Sequence, residues 1–297
     1  MNIFITGGTG YIGSKLSKRL IGEGHNVAIL KREASDLNNL SEFKDQITFY
    51  NYEGDFSSMN AAVEDFKPDL GIHLASLYVY SHSAEDIDAL IDSNLRLGLH
   101  LTEALVKNGC KKLVNTGTSF EHFKNDDYNP VNLYAATKNA FSALLKYYTK
   151  SAQLSALTIK LFDTYGPDDN RGKLVSYLIG ALSSGEEVQL SGGDQIVDYA
   201  HVDDVVNAYL KAIELLMNLD AGYYSEFGGV TGERVTLKQL VALIEEVSGK
   251  KLKVQFGAKP YRFREVMKPW SNFWELPDLP PKKSLKEGLK ELIDEGN

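Results

Sequence analysis

The sequence predicts an α/β fold: a doubly wound parallel sheet followed by a smaller C-terminal lobe. Three observations predict it. Short, unbroken apolar runs alternate with longer helical patterns through the first half of the chain. Such runs belong to strands covered on both faces, and right-handed crossovers wind them doubly. The first run ends in a glycine-rich turn that opens a helix, Gly7-Gly8-Thr9-Gly10-Tyr11-Ile12-Gly13. After Tyr165-Gly166-Pro167 the alternation breaks down.

In chain order, Ile3–Thr6 reads as a buried strand. Gly10–Gly22 reads as a helix, with Tyr11, Ile12, Leu16 and Leu20 at helical spacing. Val27–Leu30 is a second strand after the Gly24-His25 turn, and Ile47–Tyr50 a third. Leu70–Leu74 is a fourth, after the turn residues Lys67-Pro68-Asp69. A long helix follows around Ile87–Val106, then a strand at Lys112–Val114, a helix from Leu133 to Lys150 and a strand at Leu157–Phe162. Beyond Pro167, helices are expected near Leu174–Ser183, Val202–Met217 and Thr236–Ser248, with a turn at Ser191-Gly192-Gly193. Residues Pro260–Pro281, rich in proline and aromatics, read as irregular loops. The expected domains are 1–165, rejoined by part of 194–228, for a dinucleotide, and 166–193 with 229–297 for a substrate.

The chain has 297 residues, 32 basic against 40 acidic, for a net charge of −8. That charge argues against nucleic-acid and basic membrane-surface binders. A hydrophobic fraction of 43% excludes disorder as the main state. Cys110 is the sole cysteine, so no internal disulfide forms. No apolar run is long enough to span a membrane. The run Met1–Ile5 is too short for a secretory segment, and the expected location is the cytoplasm.

The glycine spacing G-x-x-G-x-x-G, between a first strand and a helix, is that of a pyrophosphate cradle. Glycine lets the backbone turn and the phosphates approach, and the helix N-terminus offers free N–H groups. Gly7, Gly10, Tyr11, Ile12 and Gly13 are the candidate contacts. An acid at the end of the second strand would bind the ribose of NAD. Lys31-Arg32 stands there instead, and cations can pair a 2′-phosphate. NADP(H) is therefore the favoured cofactor and NAD(H) the other.

Tyr134 and Lys138 stand one turn apart on one helix face. An adjacent ammonium is expected to lower the tyrosine pKa, so that the pair passes protons near neutral pH. Upstream, Leu113-Val114-Asn115-Thr116-Gly117-Thr118-Ser119 is a strand ending in hydroxyls. Together these resemble the short-chain dehydrogenase/reductase superfamily, and within it the extended branch, the NAD-dependent epimerase/dehydratase family, whose core is a Rossmann sheet. Further matches run in order along nearly the whole chain. Asp55 and Phe56 match residues at the adenine, and Leu74, Ala75 and Ser76 a strand end beside the cofactor. Asn94 matches a helix asparagine, Leu161–Pro167 (with Phe162) a sixth-strand exit, and Asp198–Val205 a late motif. The resemblance implies Tyr134 as general acid/base, Lys138 as ribose ligand and tuner of Tyr134, and Thr118, or else Ser119, as donor to the reacting oxygen. It also implies a homodimer through the helices around Ile87–Val106 and Leu133–Lys150.

Departures from the family pattern narrow the reaction. Ser119 and Phe120 stand where dehydratases carry an Asp-Glu pair, which argues against water elimination. Val197 replaces a diphosphate-binding arginine and Asp163 an asparagine. Arg262, ahead of Arg264, is the candidate diphosphate ligand, and Ser119 and Arg262 are the substrate candidates. The stretches 73–94 and 257–267 resemble CDP-abequose and CDP-paratose synthase-type 4-ketoreductases. The implied function is NADPH-dependent reduction of a 4-keto nucleotide sugar. An NAD-dependent 4-epimerase is the alternative, and a non-catalytic dinucleotide sensor is the reading from another class. None of His25, His73, His82, His100, His122 and His201 has metal-ligand spacing, so no metal is expected. His73 and His201 read as structural. His82 and His122 lie near the expected cleft but read as packed or exposed, and Trp270 and Trp274 read as core before base contacts. Lys282, Lys283 and Lys286 read as a solvated face.

Overall fold

The computed structural model describes residues 1–295. β1 (Asn2–Thr6) runs into α1 (Tyr11–Gly22), β2 (Asn26–Lys31), β3 (Ile47–Asn51), α2 (Phe56–Phe66) and β4 (Leu70–His73). Next come α3 (Ile87–Ile91), α4 (Leu97–Lys107), β5 (Lys112–Thr118), α5 (Leu133–Ser151), β6 (Ser155–Leu161) and β7 (Asp163–Tyr165). The remainder is α6 (Leu174–Ser184), β8 (Glu187–Gln189), β9 (Ile196–His201), α7 (Val202–Asn218), β10 (Tyr224–Gly228), β11 (Glu233–Thr236), α8 (Leu237–Ser248), β12 (Lys253–Gln255) and α9 (Leu285–Glu295).

The main sheet is parallel throughout, in the order β3-β2-β1-β4-β5-β6-β10. Strand order reverses between β1 and β4, and the crevice above that switch point is where such sheets bind ligands. Ile3, Ile5 and Ile29 pack on one face against Leu16 and Leu20 of α1 and Val205 and Tyr209 of α7. Phe4 and Leu113 pack on the other against Val63, Leu105 and Phe141. A third core, around Leu178, Val188, Leu240 and Leu289, joins α6, α8 and α9 beneath the short sheets β11-β9-β7 and β12-β8.

Two elements differ from expectation in instructive ways. The long helix is interrupted by a π turn at Asp92–Arg96 between α3 and α4. The wider turn admits buried Asn94, whose side chain meets the main chain of Leu77 and the hydroxyls of Ser76 and Thr137. The fifth strand runs four residues beyond Val114. Its polar end is paired: Asn115 bonds Thr158 at 3.2 Å and Thr116 bonds Tyr209 at 2.7 Å. From sequence no element is assigned to α2, to β7 through β12 or to α9. No helix among the described residues is long and apolar enough to cross a membrane.

Candidate active site

At the carboxyl end of the sheet a cavity of about 430 Å³ adjoins one of about 560 Å³. Gly7, Gly10, Tyr11, Ile12 and Gly13 line the smaller, as do Leu74 and Ser76. The glycine turn is closed so tightly that side chains are excluded. A Cβ on Gly7 would lie 2.4 Å from the Ala75 nitrogen, and one on Gly13 2.2 Å from the Gly7 carbonyl oxygen. Gly7 also has φ +75, a value that favours glycine. No side chain caps α1, so first-turn N–H groups stay available to an anion.

Thr118, Tyr134 and Lys138 converge on the same cavity. Asn132 caps α5 by accepting from the Ala135 N–H at 3.0 Å, which fixes the start of the helix and the facing of Tyr134. The Lys138 ammonium is buried without a hydrogen-bond partner among the described residues. Burial lowers its pKa to about 8. Tyr134 is pushed up to about 12 by burial, which outweighs the lowering influence of the nearby Ser76 and Thr118 hydroxyls. In the dinucleotide-free protein desolvation dominates, so Tyr134 lies above its ordinary value and not below it. The Tyr78 ring stands edge-on to Tyr134 at 5.0 Å.

An orphaned buried ammonium beside a glycine cradle fits a dinucleotide, with Lys138 toward a ribose and the turn toward the pyrophosphate. Lys31 and Arg32 end β2 outside the cavity lining, Lys31 bonding Asn51 at 2.8 Å. Neither cation has an ion-pair partner among the described residues.

Other sequence candidates fare differently. Asn94 spends both N–H bonds and both lone pairs on protein partners, so it positions the Ser76 loop and has nothing left to bind a cofactor. Asp55 caps α2, accepting from the Ser58 N–H at 2.8 Å. The Phe56 ring turns toward α4, 5.9 Å from His100 and beneath Lys107, because α2 buries it there. Ala75 donates to the Thr6 carbonyl and backs Gly7.

Ser119 and Phe162 line both cavities, and Asp163 lies at their junction. The larger cavity holds Arg262, stacked 4.5 Å over Tyr80. Arg264 is outside the lining, bound to Asn129 and stacked on Phe123. Val197 and Trp270 form apolar wall, whereas Trp274 is exposed. His122 lines this cavity, stacked 4.1 Å from Trp270. Sequence reasoning missed Arg171, Lys173 and Lys259. Arg171 lies 4.4 Å over the Tyr11 ring and Lys173 4.3 Å over Tyr78. Both follow the turn after β7, where no periodicity marks them.

His73 is buried, bonded to Thr6 at 2.7 Å, and burial lowers its pKa to about 3. His201, Asp203 and Glu291 come close enough to hold a metal. The Lys283 ammonium already stands 3.2 Å from Asp203 and 2.5 Å from Glu291, so Lys283 belongs to this cluster and not to a solvated face.

The NAD dependent epimerase/dehydratase family model matches residues 3–223. The chain belongs to that family. A CDP-abequose synthase of Yersinia pseudotuberculosis is 31% identical, covering 91% of this chain and 92% of that one. The UDP-glucose 4-epimerase of Thermotoga maritima, solved with UDP-glucose, superposes with a TM-score of 0.85 at 25% identity, over 99% of this chain and 98% of that one. The Thermus thermophilus UDP-glucose 4-epimerase, in complex with NAD, gives 0.81 at 25% identity, over 99% and 98%.

Proposed function

We propose that this family member is an enzyme that reduces the 4-keto group of a nucleotide-activated 6-deoxy sugar, with NADPH as reductant. The supporting observation is geometric: Thr118 and Tyr134 line the smaller cavity together with the buried Lys138, and that cavity adjoins the larger one that holds Arg262. Burial favours the protonated form of Tyr134, the form from which a reductase gives its proton. The similarity to a CDP-abequose synthase over nine-tenths of the chain points the same way.

The chain's own residues account for the proton chemistry. The 1–165 portion with part of 194–228 holds the dinucleotide, and 166–193 with 229–297 holds the substrate. Lys138 binds the nicotinamide ribose, and the glycine turn binds the pyrophosphate. Arg262 and the cations that share its cavity, Arg171, Lys173 and Lys259, face the sugar diphosphate. Thr118, or in its place Ser119, orients the carbonyl oxygen. When bound, the dinucleotide supplies the hydride. Tyr134 gives its proton to the C4 oxygen as charge develops there, and the Lys138 ammonium stabilises the resulting phenolate.

NADPH oxidation measured over a panel of 4-keto nucleotide sugars tests the reading. Turnover of at least one supports it. Interconversion of C4 epimers with NAD that purifies with the protein would establish the epimerase instead, the activity named for both solved relatives. Tight NADPH with no turnover would return the sensor.

Cofactor choice gives the first expected outcome. Replacing Lys31 and Arg32 by neutral residues removes two unpaired cations at the end of β2 and erases a preference for NADPH over NADH. The loss is about 1–3 kcal/mol of charge-assisted phosphate contacts. Titration showing equal affinities in the parent protein would refute it.

Assembly gives the second. Ile87 and Ile91 on α3 and Tyr147 on α5 are exposed at 42%, 38% and 64%. Paired across a two-fold axis, these helices form a four-helix bundle. Sedimentation is expected to give twice the chain mass at micromolar concentration, and a monomer there would refute the dimer.

A further inference from the structure

Glu121 is the side chain that the proposed chemistry leaves unused. It is fully buried, three residues after Thr118, and lines neither cavity. One carboxylate oxygen accepts from the Thr118 N–H at 2.8 Å. The other lies 3.1 Å from the Lys160 ammonium and 3.3 Å from the side-chain amide of Asn139, the residue after Lys138. One carboxylate thus ties β5, α5 and β6 together at the level of the proton-transfer groups. Space for it is built in. A Cβ on Gly117 would come within 2.9 Å of both the Glu121 carboxylate and the Lys160 side chain.

A purely structural partner for Lys160 exists already. Glu226 on β10 lies 2.6 Å from its ammonium, and the His122 ring nitrogen 2.7 Å. Burying a second carboxylate carries a desolvation cost that its hydrogen bonds and ion pair must offset, and Lys160 would be paired without it.

We propose that Glu121 is a positioning residue for proton transfer: it fixes the main chain that presents Thr118 and sets the field at Lys138 and Tyr134. The proposal rests on the Tyr134-Lys138 reading above. Burial raises the pKa of the Glu121 carboxyl, against the Lys160 ammonium and the Thr118 N–H, and as a carboxylate it favours the charged form of Lys138 and the protonated form of Tyr134. The other groups facing this region are His73 beside Lys138, and Tyr78, Asp163 and Tyr209 beside Tyr134. Lys160, His122, Glu226 and, through Glu226, Lys146 surround Glu121.

The test is NADPH affinity against pH, with steady-state reduction measured alongside. Affinity falls as Lys138 loses its proton, near its pKa of about 8 in the free protein. Glu121→Gln keeps an acceptor for Thr118 and removes the charge. It is expected to move this limb down by about half a unit or more and to lower kcat roughly tenfold, with KM for the sugar little changed. Glu226→Gln, which also neutralises a Lys160 partner, is expected to leave the limb in place. If Glu121→Gln does not fold, the double variant Glu121→Gln/Lys160→Met removes the pair together and is read in the same way. A limb and kcat like those of the parent overturn the proposal, as does an equal shift in Glu226→Gln. Tyr134→Phe run in parallel separates the two claims. If it stays active, the underlying reading fails. If it is inactive while the Glu121 variant behaves as the parent, the positioning role alone fails.

Discussion

Tyr134→Phe is expected to lower the reductive rate by roughly 10²–10⁴, the usual worth of a positioned acid. Folding and NADPH affinity are expected to survive. The substitution removes a hydroxyl and little volume, and the ring keeps its edge-on contact with Tyr78. What is lost is the proton for the C4 oxygen. Thr118 cannot take over. Its hydroxyl accepts from the Phe120 N–H at 3.3 Å and has no nearby store of protons. Stopped-flow measurement of NADPH oxidation on a substrate found in the panel checks this. Near-parent activity would exclude a Tyr-Lys mechanism whatever the fold.

The glycine turn and the pair Tyr134-Lys138 were legible because each is local. The turn is set by backbone conformation within seven residues, and the pair by one helical turn. The strands of the main sheet were legible because burial on both faces leaves continuous apolar runs. Interactions between distant residues left no such trace. Glu121 and Lys160 are 39 positions apart, and their burial depends on how β5 and β6 register, Thr118 opposite Leu161. Sequence reasoning noted the missing acids at Ser119 and Phe120 and passed over Glu121, whose carboxylate turns away from both cavities. Side-chain direction is lost in the same way: a π turn and the packing of α2 direct the side chains of Asn94 and Phe56 to protein partners. The strands β8 and β12 are three residues each, too short for a period to declare itself.

Lys138→Met is expected to separate stability from activity. In the dinucleotide-free protein Lys138 is 1% exposed, and its ammonium has no hydrogen-bond partner among the described residues. An unpaired buried charge is a cost, and its lowered pKa, about 8 against an ordinary 10.5, expresses it. The sign follows from proton binding. Below pH 8 folded and unfolded chains both carry the proton, and the folded one bears the full desolvation cost. Between about pH 8 and 10.5 the unfolded chain binds more protons than the folded one, so this residue's contribution to stability rises with pH. Methionine fills similar space without charge. The variant is therefore expected to be more stable than the parent at pH 7 by about 1–3 kcal/mol, or several degrees in melting temperature. That advantage shrinks as pH rises through the same window. NADPH is expected to reverse the order, since it stabilises the parent by giving the ammonium a ribose to bind and stabilises the variant far less. Turnover falls roughly 10²-fold or more, because the Tyr134 phenolate loses its cation. Melting curves with and without NADPH at pH 7 and pH 9.5 check all of this. A variant that melts below the parent at pH 7 without NADPH would mean that the ammonium has a protein partner, and the dinucleotide would then lose its anchor in this reading of the cavity.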